Sequence, residues 1–187
     1  MIRHRKQTIC SDDLFTREQV QSIVTLLNWV WPDPRRGVEE LVEDFIRRSR
    51  LPERAPNERV VIWGEERPLA LADSYARRIF TADGGMEVQA LNSVCVDPAF
   101  RGLGLGREAA LAAFARIGRG DFPLALFQTG VPQFYEKLGA RPVSNRFINR
   151  RHPENPQANP WWEANVMIYP GNAPWPDGVI DLNGNGY

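Results

Sequence analysis

Residues 94–107 run Val-Cys-Val-Asp-Pro-Ala-Phe-Arg-Gly-Leu-Gly-Leu-Gly-Arg, and this stretch constrains the chain more than any other. Val94, Cys95 and Val96 read as the end of a buried strand, and Asp97-Pro98 as a turn. Glycines at 102, 104 and 106 form a loop, and Arg107 opens an alanine-rich helix to about Ile117. Glycine removes the side chain where something must approach the backbone closely. The loop's N–H groups and the helix start then make an electropositive seat for an anion, with Arg101 and Arg107 beside it. A diphosphate suits such a seat.

The flanking sequence supplies alternating periods. Residues 3–10 read as a first strand. Thr16 is an N-cap for a helix through about Trp29, on the spacing of Val20, Ile23, Val24 and Leu27, stopped by Pro32 and Pro34. A second helix runs from Val38 to Ser49, with its charges read as a solvated face. Then the period shortens. Residues 59–63, 68–80 and 86–96 are strands joined by the tight turns at 64–66 and 82–85, an antiparallel meander. Beyond the glycines come a continuously apolar strand at 122–127 and a short helix at 131–138 closed by Gly139. Strands at 140–149 and 162–169 follow. The tail from Pro170 orders only if Trp175, Val179, Ile180 or Leu182 docks. The expected class is α/β: a single domain over 1–169 with a mixed, mostly antiparallel sheet and helices on both faces, and residues 170–187 packed on it.

Composition narrows the function. Of 187 residues, 23 are Lys or Arg and 23 Asp or Glu, so the basic excess usual for nucleic-acid binding is missing. Two cysteines cannot build a disulfide framework, which suits a reducing cytoplasm. Two histidines, His4 and His152, lack metal-ligand spacing, so no metal is expected. No segment has the apolar length of a signal peptide or a membrane span.

A kinase-type phosphate loop needs Gly-Lys-Ser/Thr, which Gly106-Arg107-Glu108 does not supply. A dinucleotide turn needs its glycines directly after the strand and an acid about twenty residues on; residues 97–101 intervene and Phe127-Gln128-Thr129 holds no acid. The remaining pattern is Arg101-x-x-Gly104-x-Gly106 after Val-x-Val-Asp-Pro. With Phe134-Tyr135-Glu136-Lys137-Leu138-Gly139-Ala140 some thirty residues later, and with this order of elements, residues 3–169 resemble the Gcn5-related N-acetyltransferase (GNAT) superfamily. The resemblance implies acetyl-CoA as co-substrate. It places the pyrophosphate on the amides of Gly102, Leu103, Gly104, Leu105, Gly106 and Arg107, with Arg101 beside them. It pairs the extended pantetheine arm with the backbone of Val94, Cys95 and Val96, as a peptide adds to a strand edge.

Transfer of the acyl group to a primary amine needs stabilisation of the carbonyl oxygen, which a backbone N–H on residues 94–96 can give. It also needs a proton for the leaving thiolate. The resemblance assigns that proton to Tyr135, which is otherwise an aromatic core residue. A catalytic Glu of the family corresponds here to Asn92, which cannot take a proton. Asp73 on the neighbouring strand and Glu87 are the substitutes for that base, but each reads better as a surface carboxylate; an amine of depressed pKa, or deprotonation by water, needs no dedicated base. Cys95, between two valines, reads as an inert strand residue. A non-catalytic acyl-CoA-binding sensor is the alternative. The acceptor is expected to be a small-molecule or peptide amine, with no nucleic acid and no membrane as partner and a homodimer open. Residues 29–37, with two tryptophans, one acid and two arginines, either wall the acceptor site or plug the sheet. The acid- and tryptophan-bearing tail is similar to that of aminoglycoside 2′-N-acetyltransferases.

Overall fold

The computed structural model describes residues 6–11 and 14–187. Backbone contacts divide the chain into two compact units: residues up to 75 with 92–113, and residues 76–91 with 114–187. Strands β3 (Pro68–Thr81) and β4 (Gly84–Val96) and helix α3 (Leu105–Gly118) contribute to both.

The first unit contains β1 (Lys6–Cys10), α1 (Arg17–Val30), α2 (Val38–Ser49) and β2 (Glu58–Trp63). The expected strand at 3–10 is thus described from residue 6; its first three positions lie outside the described residues. Helix α1 starts where Thr16 predicts. The Thr16 hydroxyl accepts the Gln19 N–H at 3.3 Å, and Gln19 Oε1 accepts the Thr16 N–H at 2.9 Å. This reciprocal cap is worth about 1 kcal/mol of helix stability. After the helix the Asp33 N–H donates to Asn28 Oδ1 at 2.9 Å, which fixes the path through the prolines.

The buried faces of the helices, Val20, Ile23, Val24 and Leu26 of α1 with Val42 and Phe45 of α2, pack on Val61, Leu71 and Cys95. Strands β1, β2 and β3 pair antiparallel, with Val61 opposite Leu71 and Arg59 opposite Asp73. Side chains alternate along a strand, so Arg59 and Asp73 share the face that α1 and α2 cover.

In the second unit β4 pairs parallel with β5 (Ala125–Thr129) at Gln89–Ala125 and Ala90–Leu126. Strand β5 pairs antiparallel with β8 (Asn165–Tyr169), and β8 with β6 (Arg141–Val143). Strand β7 (Arg146–Ile148) runs parallel to β9 (Val179–Asp181), which meets β3 at Phe80–Asp181. Helix α4 (Pro132–Glu136) is shorter than the expected 131–138, and Gly139 follows at φ +95°.

Two expectations are corrected here. The strand expected at 122–127 begins only at Ala125, since Pro123 has no N–H to give a ladder; Phe122 instead lies under the Arg116 guanidinium at 4.7 Å. The strand expected at 140–149 breaks at Ser144-Asn145. Asn145 Nδ2 donates to the carbonyls of Pro176 and Gly178 at 2.9 and 3.0 Å, and the two pieces take different partners, β8 and β9. The tail is ordered by Ile180 and Leu182, both fully buried, and by Tyr187 against Trp161 at 4.9 Å.

The architecture is mixed α/β, with mostly antiparallel strands and four α-helices among the described residues. None of those helices is long and apolar enough to cross a membrane.

Candidate active site

The turn after β4 is held from within. Asp97 is fully buried; its N–H donates to the Leu69 carbonyl at 2.8 Å, and its Oδ1 accepts the Ala99 N–H at 2.9 Å. The Arg67 guanidinium lies 2.9 Å from Asp97 Oδ2 and packs beside the Trp29 and Phe100 rings at 5.3 and 5.8 Å. This anchor sends the chain outward. Arg101, Gly102, Leu103, Gly104 and Arg107 are exposed, while Leu105 turns into the core.

Gly102 and Gly104 adopt φ +79° and +81°, and a Cβ built on either meets nothing within 4 Å. These glycines are therefore required by backbone conformation, and the space above them is open. Helix α3 begins at Leu105, with the Glu108 N–H donating to the Gly104 carbonyl at 3.0 Å. The N–H groups of a helix's first turn have no intrahelical acceptor, so those of Leu105, Gly106 and Arg107 are the natural donors to an anion there.

Upstream of the loop, Val94, Cys95 and Val96 close β4, beyond its pairs with β5 at Gln89 and Ala90. Cys95 belongs to the core under the helices. Burial pushes its thiol up to about 12, although the Arg59 and Arg101 charges and a backbone hydrogen bond at Leu71 pull the other way. It is buried within β4.

Beside Asn92 and Ser93 the first unit opens a cleft of about 270 Å³. Its floor is the Arg59–Asp73 ion pair, 2.9 Å apart with side chains only 4% and 2% exposed. Asp73 is thus no surface carboxylate, contrary to the expectation; Glu87 is exposed, as expected. From the α1–α2 connection come Trp31, Asp33 and Arg36, and from α2 Asp44 and Arg48. Of the α2 charges, Asp44 and Arg48 therefore line this cleft and are not merely a solvated face. Arg36 Nε donates to Asp33 Oδ2 at 2.9 Å, and Arg48 Nε lies 2.9 Å from Asp44 Oδ2. Hydrogen bonds from the Arg35 and Arg36 side chains and the Arg35 N–H hold the Asp33 carboxyl down at about 2. Burial raises Asp44, but the hydrogen bond from Arg47 and the charges of Arg48 and Arg47 outweigh it and leave the carboxyl below its ordinary range. Ser93 has φ +51°, a left-handed conformation that strains a residue bearing a Cβ.

Tyr135 belongs to the second unit. It is 6% exposed, with its ring 4.6 Å from that of Phe127 and 4.8 Å from that of Phe134.

No family model matches the sequence, and no curated protein matches it. The fold does resemble solved structures. An acetyltransferase from Trypanosoma brucei superposes with a TM-score of 0.59 at 22% identity, over 75% of this chain and 95% of that one. A GNAT family N-acetyltransferase from Escherichia coli in complex with CoA gives 0.58 at 14% identity, over 95% and 89%. The fold is that of the GNAT N-acetyltransferases. Glucosamine-6-phosphate N-acetyltransferase from Arabidopsis thaliana has the same GNAT fold, with a TM-score of 0.57 at 19% identity over 74% of this chain and 94% of that one.

Within the GNAT fold, sequence reasoning located the loop and the strand before it but not the cleft floor. Arg59 directly precedes the apolar run 60–63 and Asp73 directly follows the apolar run 69–72, and that was the available signal. Asp44 and Arg48 read as part of a solvated helix face. Residues 29–37 do wall the cleft at Trp31, Asp33 and Arg36. Trp29 and Trp31 are each about half exposed, at 51% and 52%, so neither plugs a core.

Proposed function

We propose that this chain is an acetyl-CoA-dependent N-acetyltransferase acting on a primary amine. One observation carries the reading: β4 passes through the Asp97 anchor into two left-handed glycines that open directly onto the first turn of α3. The residues present fit the co-substrate. The backbone above Gly102 and Gly104 is unobstructed, and two exposed arginines, Arg101 and Arg107, flank donors suited to a pyrophosphate. The GNAT fold and the CoA complex of the Escherichia coli protein support this assignment.

Bound acetyl-CoA supplies an acyl group activated as a thioester. The chain's residues do the rest. Backbone amides of Gly102 to Arg107 hold the phosphates, and Val94, Cys95 and Val96 offer a strand edge to the arm and an N–H to the carbonyl oxygen. The amine enters by the cleft beside Asn92. Its nitrogen forms a C–N bond as the C–S bond breaks; the proton lost by the amine passes to water, and the thiolate receives one. Tyr135 is assigned as the donor of that proton on the strength of the motif from Phe134 to Ala140; its aromatic packing equally suits a core role.

Asn92, at the cleft in place of a carboxylate, favours a second reading, a non-catalytic acyl-CoA-binding sensor. Thiol release from acetyl-CoA over an amine panel separates the two. The enzyme releases thiol with at least one amine, and Tyr135→Phe lowers the rate at least tenfold while acetyl-CoA binding persists. Tight binding with no turnover of any amine leaves the sensor; no binding of acetyl-CoA overturns both. The tail's likeness to aminoglycoside acetyltransferases gains no support from the structures compared.

A further inference from the structure

Given that acyl-transfer reading, we infer that the acceptor is a small primary amine that also carries a carboxylate or phosphate, its amine held at Asp73 and its anion at Arg54. The charges of the cleft support this when taken group by group. Asp33 is paired with Arg36, Asp44 with Arg48, and Asp73 with Arg59. Two features are left over.

Asp73 Oδ1 is buried and has no hydrogen-bond partner among the described residues, although its other oxygen holds Arg59. A buried carboxylate oxygen costs free energy unless a donor reaches it. The residue Asp73 lines the cleft beside Asn92 and Ser93, so an occupant of the cleft is the nearest source of a donor to complete it. An amine or ammonium N–H is such a donor. Asp73 also stands next to the strand segment that the acyl-transfer reading assigns to the thioester.

Arg54 is the other feature. Its guanidinium lies 4.5 Å from the centroid of the Tyr75 ring and has no carboxylate partner among the described residues. A guanidinium stacked on an aromatic face keeps its N–H edge available, and that edge matches carboxylate or phosphate oxygens. Tyr75 and Asp73 are two residues apart on β3, and so on one face about 7 Å apart. The amine-accepting oxygen and the anion-accepting guanidinium are thus neighbours, at a spacing that suits a compact molecule. Acceptors with a second cation are disfavoured, because Arg54, which has no carboxylate partner among the described residues, would repel it.

The test measures equilibrium binding of four probes by calorimetry, with and without acetyl-CoA: O-phosphoethanolamine, β-alanine, ethanolamine and putrescine. The first two should bind at least about tenfold more tightly than ethanolamine, and putrescine should bind no better than ethanolamine. Preference for the phosphate over the carboxylate probe, or the reverse, identifies the anion. Arg54→Gln should bring the ratio of anionic to neutral probe close to one, and Arg54→Lys should retain part of it. Asp73→Asn, checked for folding by its thermal transition, should weaken every amine. The proposal is overturned if ethanolamine or putrescine binds as well as the anionic amines. It also falls if Arg54→Gln leaves the ratio intact, or if the folded protein binds none of the four. Loss of acetyl-CoA binding overturns the acyl-transfer reading separately, since the amine affinities are read without the donor as well.

Discussion

Gly104→Ala separates what the loop costs to fold from what it gives to a ligand. Gly104 has φ +81°, and an added Cβ meets nothing within 4 Å. The folding penalty is therefore conformational alone, about 1–2 kcal/mol for a residue with a side chain in the left-handed region. In a chain of this size that is a fall in Tm of a few degrees. Binding carries a second penalty. The methyl group enters the open space assigned to the pyrophosphate and holds it off the backbone donors. Each charge-assisted hydrogen bond lost there is worth about 1.5–3 kcal/mol, so the acetyl-CoA dissociation constant should rise roughly 10- to 100-fold. Gly120→Ala is the control: it has φ +82° and nothing within 4 Å, so it carries the same conformational penalty outside the loop. Calorimetry with acetyl-CoA and thermal melts of both variants give the comparison. Equal melting losses with a binding loss only in Gly104→Ala are expected. Unchanged affinity in a folded Gly104→Ala protein, or an equal loss in Gly120→Ala, refutes the assignment of the loop.

Burial pushes the Cys95 thiol up to about 12, so at pH 8 iodoacetamide should alkylate Cys10, which is partly exposed, and spare Cys95 until denaturant is added. Mass spectrometry reads one adduct and then two; equal rates at both cysteines in the native protein contradict the burial. Asp33 is held at about 2 by Arg35 and Arg36, against an ordinary 3.8. A depressed carboxyl stabilises the fold above its unfolded pKa and loses that stabilisation as pH falls through the folded one. Denaturant unfolding of Asp33→Asn should therefore decline less steeply than wild type between pH 4 and 2, and parallel curves would count against the pairing. At Ser93, φ +51° predicts that Ser93→Gly raises stability by about 1 kcal/mol and Ser93→Val lowers it; chemical denaturation showing no difference between the two would remove the strain.

What was legible in the sequence was whatever local chemistry decides. Thr16 and Gln19 close a capping box, and glycines at left-handed positions punctuate the loop; helix α2 starts and stops at the expected residues. Such features depend on neighbours within a few positions. The break of the 140–149 strand was not legible, because its cause is Asn145 bonding to carbonyls more than thirty residues away. The α2 charges look the same on paper whether they face water or a cleft.

The cleft floor was hidden by register. The hairpin turn alone would set Trp63 opposite Pro68, and carried back along both strands that register puts Glu58 opposite Asp73 and turns Arg59 and Asp73 to different faces. The structure instead shifts register between Ile62 and Trp63, so that Val61 meets Leu71 and Arg59 meets Asp73. One irregular residue thus sets Arg59 opposite Asp73, and the pair meets at 2.9 Å with Asp73 2% exposed. The buried pair costs desolvation that well-packed apolar side chains would avoid. Replacing both residues, as Arg59→Met with Asp73→Leu, should then leave stability unchanged or raise it, whereas Asp73→Leu alone should cost about 3–5 kcal/mol. If the double variant is as unstable as the single one, the pair is part of the scaffold; if it is stable but binds no amine, the pair belongs to the site.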